Sequence, residues 1–352
     1  EAGKSSWDMV SPHDWTSGFF PGVLWYDYEY SHEPEIKEKA VHFTKLLESL
    51  SSKVTSHDMG FQMFCSYGHA YRLTKENYYK DILLKSADEL AKLYNPRVGT
   101  LLSWPWKVKE SNWPHNTIID NMMNLELLME AYKLSGDTTL RHIALSHADK
   151  TMKCQYRKNY SCPHVVDYDA ETGEVRKFDW NNGSDDVSVS TWARGQAWAV
   201  YGYTACYRET NDTTFLNFAV KVADMIMDRV KTDDAIPYWD YDAPVTEETP
   251  RDASAAAVTA SALIELSTMV PDGQKYLDYA EKILKSLSSD AYLAKVGDNQ
   301  GFILLHSVGS LPNGSEIDTP LNYADYYYLE ALKRFMELKK LRIENGELRV
   351  IQ

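Results

Sequence analysis

The most restrictive feature of this chain is a helical hairpin that recurs about every sixty residues. Each repeat has an apolar helix-like segment, a short polar turn and then a second, amphipathic helix. The apolar segments Phe61–Leu73 and Met122–Leu134 end in the related sequences Ala-Tyr-Arg-Leu and Ala-Tyr-Lys-Leu, and Trp198–Tyr207 also runs into a polar turn. Their apolar residues are spaced by three and four, which is the period of an α-helix.

The predicted second helices are Tyr78–Tyr94, Thr139–Lys153 and Phe215–Val230, followed by the pair Ala253–Met269 and Lys275–Leu287 and a last helix at Tyr323–Leu338. Recurring hairpins either close into a ring or stack into an open solenoid. About six pairs in 352 residues fit an all-α (α/α)6 barrel, in which inner helices surround a central cavity. No linker composition divides the chain, so we expect one catalytic domain over residues 1–352.

Strand-like alternation is restricted to short runs such as Val165–Tyr168 and Leu348–Ile351. The longest non-helical insert runs from about residue 155 to residue 189 and carries His164, Tyr168 and Trp180. Long loops in compact domains are usually functional or disordered. We expect this insert to contribute to function.

The net charge of −14 argues against nucleic acids and anionic membranes as partners, because both attract basic surfaces. No apolar run approaches membrane-spanning length. The 10 tryptophans and 24 tyrosines exceed what a core requires and are compatible with packing on sugars. The sequence starts at Glu1 without a methionine, which is compatible with a removed leader. We therefore expect export in a bacterium, for example to the periplasm, with the cytoplasm as the alternative.

The four cysteines show no metal-ligand spacing, and no glycine-rich phosphate loop is present. Cys65 and Cys206 fit small core residues, whereas Cys154 and Cys162 are close enough in sequence to pair. We predict neither a metal nor a cofactor. The sequence leaves the oligomeric state open.

Three polar motifs lie at the starts of apolar helical segments. Asp58 and Asp120 occupy equivalent places one repeat apart, and Arg194 stands between Trp192 and Trp198. Either aspartate could simply cap its helix, because aspartate accepts free backbone N–H groups there. A carboxylate at a helix start can also face a central cavity, where apolar surroundings raise the pKa of an acid. Two carboxylates, a guanidinium and indole rings together suit an enzyme that acts on an acidic sugar.

Several segments of the chain resemble, in order, family 88 of the glycoside hydrolases, the unsaturated glucuronyl hydrolases. These segments are Trp15–Gly22, His57–Phe61, Ile119–Asn124, Trp192–Trp198 and Asp318–Tyr327. The resemblance covers nearly the whole chain and implies an (α/α)6 barrel. The unsaturated rhamnogalacturonyl hydrolases share this barrel but are less similar around Arg-Gly-Gln-Ala-Trp.

The resemblance implies that Asp120 is the general acid/base and that Asp58 is its essential partner. It also implies substrate contacts for seven further residues, namely Trp15, His57, His164, Asn182, Trp192, Arg194 and Trp198. Asn182 stands where the family usually has glutamine. We expect Arg194 to hold the uronic carboxylate or a nearby ring oxygen, and the alternative is a structural arginine bonded to the long loop. The stretch Ser310–Ser315 lacks the lysine that relatives preferring sulfated disaccharides carry, which argues against sulfate recognition by that route.

The implied substrate is an oligosaccharide from a polysaccharide lyase, most often of glycosaminoglycan type, ending in a 4,5-unsaturated uronic acid. The implied reaction hydrates this C4=C5 enol ether and releases the remaining sugar. A rhamnogalacturonyl hydrolase, a sugar epimerase or isomerase, and a non-catalytic carbohydrate-binding barrel remain as alternatives.

Overall fold

The computed structural model describes residues 6–179 and 190–344. Helices predominate in these ranges. The α-helices are α1 (Phe19–Ser31), α2 (Pro34–Lys45), α3 (His69–Thr74), α4 (Asn77–Ala91), α5 (Lys107–Glu110), α6 (Asn121–Ser135), α7 (Thr138–Cys154), α8 (Ala193–Thr210), α9 (Thr213–Arg229), α10 (Ala253–Ser267), α11 (Gln274–Leu287) and α12 (Asn322–Glu344). A π-helical segment, Gly60–Gly68, leads directly into α3, and short 3₁₀ turns lie at Glu48–Ser52 and Asn299–Gly301.

Six helical elements form a closed inner ring. In order around the ring they are α1, the π-helical segment with α3, α6, α8, α10 and α12, and α12 packs back against α1. Helix α10 is buried on all sides and rich in alanine and serine, so α8 and α12 can pack closely on either side of it. A helix without a polar face belongs in the interior. This closed ring confirms the predicted (α/α)6 barrel.

The outer helices α2, α4, α7, α9 and α11 each pack against the inner helix that precedes them. Helix α11 is amphipathic, and its buried residues recur at spacings of three and four: Tyr276, Leu277, Ala280, Ile283, Leu284 and Leu287. The pattern buries one face against the inner ring and leaves the other to solvent. The predicted second helices are confirmed to within a few residues, except that α4 ends at Ala91 because Tyr94 pairs with Leu101 in a small sheet.

The strands of the described ranges lie in three small antiparallel sheets. They are β1 (Tyr94–Asn95), β2 (Thr100–Leu101), β3 (His115–Ile118), β4 (Val165–Tyr168), β5 (Val175–Asp179), β6 (Ser307–Ser310) and β7 (Ser315–Thr319). The sheet of β3, β4 and β5 includes the strand predicted at Val165–Tyr168 and brings the long insert onto the start of α6. The run predicted at Leu348–Ile351 and Trp180 lie outside the described residues.

All four cysteines are free thiols in the structure, so Cys154 and Cys162 are not joined. Cys162 is buried, and its backbone N–H donates to Gln196 Oε1 at 3.0 Å. Within the described residues, no helix is both long and apolar enough to cross a lipid bilayer.

Candidate active site

The two candidate carboxylates lie at the same end of neighbouring inner helices. Asp58 precedes the π-helical segment, and Asp120 immediately precedes α6. A Cβ atom on Gly60 would lie 2.5 Å from Asn124 Cα, so the two helices approach as closely as they do because residue 60 is glycine. Asn124 joins them further, because its Oδ1 accepts from Phe61 N at 2.9 Å and its Nδ2 donates to Asp120 O at 3.0 Å.

Neither aspartate is a side-chain helix cap. Asp120 occupies the N-cap position of α6, but its side chain accepts no hydrogen bond from that helix, and Met59 rather than Asp58 occupies the corresponding position of the π-helical segment. Both carboxylates are instead turned toward other groups and are nearly buried, each residue being 8% exposed. The capping interpretation is therefore wrong for this structure.

Asp58 lies among polar groups that fix its orientation. Ser56 Oγ donates to Asp58 Oδ2 at 2.7 Å, and His57 Nε2 lies 3.2 Å from Asp58 Oδ1. The other ring nitrogen of His57 lies 3.1 Å from the carbonyl oxygen of Ser103. Because a carbonyl only accepts, Nδ1 carries the proton of this contact and Nε2 faces the carboxyl group.

Asp120 is held by the long insert. His164 immediately precedes β4, and its Nε2 donates to Asp120 Oδ2 at 3.1 Å. The backbone connects the same elements, because Ile119 N donates to His164 O at 3.1 Å. The Nδ1 atom of His164 is buried and has no hydrogen-bond partner among the described residues.

The two carboxyl groups differ in acidity. Burial raises the pKa of Asp58 above its ordinary value, although the nearby His57 and the Ser56 hydroxyl act in the opposite direction. Burial also acts to raise the pKa of Asp120, but the His164 hydrogen bond and positive charges that include Arg194 outweigh it, so this pKa is lowered. The prediction that at least one aspartate has a raised pKa is confirmed for Asp58. Opposed environments of this kind move the pKa values of two neighbouring carboxyl groups apart, so that the groups can take different parts in acid/base chemistry.

Aromatic rings form much of the wall around this pair. The Trp15 ring, only partly buried, lies 4.8 Å from that of Tyr323 and 5.5 Å from that of Phe61, measured between centroids. Trp192 is the residue before α8, and its ring lies 4.6 Å from that of His164. Trp198 is fully buried against Phe61, so it supports the wall from behind.

Arg194 is also buried, at 2% exposure, and its guanidinium is engaged by protein acceptors. Its Nη2 donates to Gly309 O at 2.7 Å, and its Nη1 contacts Val308 O and lies 3.3 Å from Asp252 Oδ2. These bonds attach the β6–β7 hairpin to α8 and α10. The direct contact of Arg194 with a substrate carboxylate stays a prediction. Its positive charge nevertheless acts on Asp120.

Asn182 lies outside the described residues. Within the described ranges, no three His, Cys, Asp or Glu side chains are grouped so that they could hold a metal ion. A large apolar groove of about 1110 Å³ lies elsewhere, between α1, α2 and α12. None of the predicted site residues that the structure describes lines it.

Sequence reasoning missed two contributors to the site. Trp104 lies with its ring edge toward His164, at a centroid distance of 5.8 Å. Asn124 bonds to both segments that carry the aspartates. The signal for Asn124 was available, because it closes the quoted motif Ile119–Asn124. The signal for Trp104 was weak, because the Trp-Pro-Trp sequence around it has neither helical nor strand periodicity.

The family model of Glycosyl Hydrolase Family 88 matches residues 2–337 of this chain. An unsaturated glucuronyl hydrolase of Formosa agariphila is 46% identical over 331 residues, which cover 94% of this chain and 82% of that protein. An unsaturated chondroitin disaccharide hydrolase of Streptococcus agalactiae is 30% identical and covers 92% of this chain and 81% of that protein. A crystal structure of an unsaturated glucuronyl hydrolase specific for heparin superimposes with a TM-score of 0.91 at 49% identity, covering 94% of this chain and 88% of that one.

Proposed function

The chain belongs to family 88 of the glycoside hydrolases, and we propose that it removes 4,5-unsaturated uronic acid from the non-reducing end of lyase-derived oligosaccharides. The observation that carries this proposal is the buried pair Asp58 and Asp120, whose surroundings shift the pKa values of the two carboxyl groups in opposite directions. An isomerase that depends on histidines, or a non-catalytic binding barrel, would not require such a pair.

The reaction begins at the C4=C5 double bond, whose C5 carries the ring oxygen and therefore forms an enol ether. A proton adds to C4, the π electrons form the new C4–H bond, and the positive charge at C5 is shared with the ring oxygen. Water then adds to C5 and gives up a proton. The resulting hemiketal opens to a ketone at C5, and the hemiacetal left at C1 releases the aglycone. One water is consumed, and the anomeric carbon is never attacked, so carboxylate spacing does not determine stereochemistry.

We assign the transferred proton to Asp120, which delivers it to C4 and later accepts one from water. In the free protein its lowered pKa keeps Asp120 ionised near neutrality. An arriving uronic acid brings a second negative charge and displaces water, and both effects raise the pKa of a carboxyl group. Substrate binding therefore raises the pKa of Asp120, so that Asp120 takes up the proton that it then delivers to C4.

Asp58 is proposed to stabilise the cation at C5 and, through its charge, to adjust the pKa of Asp120. The two carboxyl groups interact electrostatically, which gives Asp58 a means of acting on the pKa of Asp120. His164 orients Asp120, while His57 orients Asp58. Trp15 and Trp192 offer apolar faces to the sugar ring, as aromatic side chains do in carbohydrate sites.

We propose a glycosaminoglycan-type substrate. A solved relative is described as specific for heparin, and a Streptococcus agalactiae relative acts on unsaturated chondroitin disaccharides. The stretch Ser310–Ser315, without a lysine, forms the turn that joins β6 to β7. Because this hairpin carries Glu316 near Arg194, its charge disfavours sulfate at that position.

A panel of unsaturated chondroitin and heparin disaccharides tests the proposal. The conjugated C4=C5 bond absorbs in the ultraviolet, and hydration removes that absorbance. We expect the protein to remove the absorbance and release the second sugar from at least one member. Binding without loss of absorbance would support the carbohydrate-binding alternative instead.

A further inference from the structure

We propose that three tryptophans beside the site form a binding surface for acidic sugar residues that follow the first aglycone sugar. This tryptophan platform consists of Trp104, Trp106 and Trp113. The inference rests on the proposed function, which it extends from disaccharides to longer acidic oligosaccharides.

The planes of the Trp106 and Trp113 rings are both tilted only moderately from the plane of the Trp104 ring. The Trp104 ring lies 6.4 Å from that of Trp113 with an angle of 26° between the planes, and 6.3 Å from that of Trp106 with an angle of 34°. Trp113 is nearly buried, whereas Trp106 is 44% exposed. An exposed indole on a folded domain gains nothing from core packing, but it can pack against the apolar face of a sugar ring.

The tryptophan platform is continuous with the catalytic pair. The Trp104 ring makes an edge-to-face contact with the ring of His164, and His164 donates to Asp120. The backbone of Trp104 is fixed as well, because its N–H donates to Asn116 Oδ1 at 2.9 Å and Asn116 Nδ2 donates to its carbonyl at 3.1 Å. A path of aromatic rings therefore leads from His164, beside Asp120, outward to solvent at Trp106.

Two lysines give the tryptophan platform a positive charge in a chain whose net charge is −14. Lys177 Nζ lies 4.5 Å and Lys107 Nζ lies 5.7 Å from the centroid of the Trp113 ring. Lys107 forms no ion pair with a carboxylate among the described residues, and Lys177 has only Asp179 at 3.8 Å. Ammonium groups held over an aromatic surface suit the sulfate or carboxylate groups of an acidic sugar.

Packing alone accounts for part of this arrangement, since cation–π pairs also occur in structural positions. It does not account for Trp106, which exposes its ring rather than covering a lysine. The occupant we infer is the reducing-side part of an acidic tetrasaccharide whose unsaturated end reaches Asp120. A disaccharide is too short to use the outer part of this surface.

The test compares kcat/KM for an unsaturated heparin-type disaccharide and the corresponding tetrasaccharide. We expect the wild type to favour the tetrasaccharide roughly five- to tenfold, because each exposed cation–π or stacking contact contributes about two- to fivefold. The double variant Trp106→Ala/Lys107→Gln should bring this ratio to about one and change the disaccharide value less than about twofold. Raised salt should also reduce the ratio in the wild type, because exposed charges are screened.

The matched control is Lys109→Gln, which removes the same charge from the same short helix but has no ring contact in the described residues. It should keep the wild-type ratio. A wild-type ratio near one, or an unchanged ratio in the double variant, overturns the proposal.

If the wild type turns over neither substrate, the proposed function fails. Tryptophan fluorescence titration with a saturated sulfated tetrasaccharide then decides: binding weakened at least threefold in the double variant supports the tryptophan platform, and equal or absent binding overturns it.

Discussion

Asp58 and Asp120 have the same side chain, but the groups around them give the two carboxyl groups different protonation behaviour. Burial dominates at Asp58, whereas the His164 hydrogen bond and nearby positive charges prevail at Asp120. The chemistry therefore depends on the partners of each carboxyl group. The partners of Asp120, which are His164 and the charge of Arg194, come from distant parts of the chain, whereas Ser56 and His57 are sequence neighbours of Asp58. The aspartates could therefore be found in the sequence, but their relative acidities could not, because the burial of both and the partners of Asp120 are set by the tertiary structure.

Asp120→Asn should leave the fold intact and nearly abolish turnover. An amide has the shape of a carboxyl group but cannot deliver a proton to C4 or take one from water. Loss of a general acid/base should lower kcat by at least about 10²-fold. Steady-state kinetics on an unsaturated disaccharide, with circular dichroism as the folding control, measure this. A variant that keeps more than about a tenth of the wild-type rate would refute the assignment.

Asp58→Asn and Asp120→Asn should differ in their effect on stability at pH 7. A carboxyl group whose pKa is raised by folding stabilises the protein below its unfolded pKa and loses that contribution as pH rises, so Asp58→Asn should not lower Tm at pH 7. A lowered pKa contributes stability above the unfolded pKa, so Asp120→Asn should lower Tm at pH 7 and less so in acid. Both variants should still be severely impaired in turnover. A lowered Tm with normal turnover in Asp58→Asn would instead make that residue structural.

The geometry of the site depends on how closely the π-helical segment approaches α6. A Cβ on Gly60 would meet the backbone of Asn124, whereas one on Gly68 would meet only the Phe64 side chain, at 2.9 Å. Backbone cannot move aside as a ring can. The distance between these two helices is thus set by one glycine and kept by Asn124.

Gly60→Ala should therefore cost about 1–3 kcal/mol of stability, as overpacking does, and should lower kcat by displacing Asp58 from Asp120. Gly68→Ala is the matched control, because it adds the same methyl group to the same segment. Denaturant unfolding and steady-state kinetics on both variants make the comparison. Equal effects of the two substitutions on kcat would show that the close approach at Gly60 does not set the catalytic geometry.

Across the barrel, a network of ion pairs joins four inner helices. Arg208 of α8 pairs with Glu126 of α6 and lies 2.9 Å from Glu265 of α10. Arg334 of α12 lies 3.0 Å from Glu265 and 3.5 Å from Glu330. Burial and the charge of Glu330 raise the pKa of Glu126 to about 7 despite its pairing with Arg208.

Glu126 should make the free energy of unfolding fall as pH rises from about 4.5 to about 7. Between these values the folded state holds a proton that the unfolded state has lost, so raising the pH favours unfolding. Glu126→Gln should reduce this fall, although buried Asp325, whose pKa is also about 7, retains part of it. Glu265→Gln serves as control, because the pKa of Glu265 is lowered. Denaturant titrations at several pH values measure the slope, and an unchanged slope in Glu126→Gln would contradict the account.

Much of the architecture could be predicted from the sequence, because the hairpin repeat and the all-round burial of inner helices such as α10 are encoded locally. The contacts of Arg194 could not be predicted in this way. Its acceptors are backbone carbonyls of β6 and the side chain of Asp252, which are far from it in sequence. Only the closed ring of inner helices brings them together. The contribution of Trp104 likewise required the tertiary structure, which places its loop against His164.

In the mechanism proposed for this chain, water adds at C5 and the anomeric carbon is not attacked. A substrate with sulfur in place of the glycosidic oxygen distinguishes between these two sites of attack. Sulfur is a weak proton acceptor, so a hydrolase that protonates the leaving group and attacks C1 should slow by at least about 10²-fold. The C4=C5 enol ether is unchanged by this substitution. We predict that the wild type consumes the sulfur-linked and oxygen-linked disaccharides at rates within about tenfold of each other, and that Asp120→Asn consumes neither. Loss of activity on the sulfur-linked substrate alone would contradict the account.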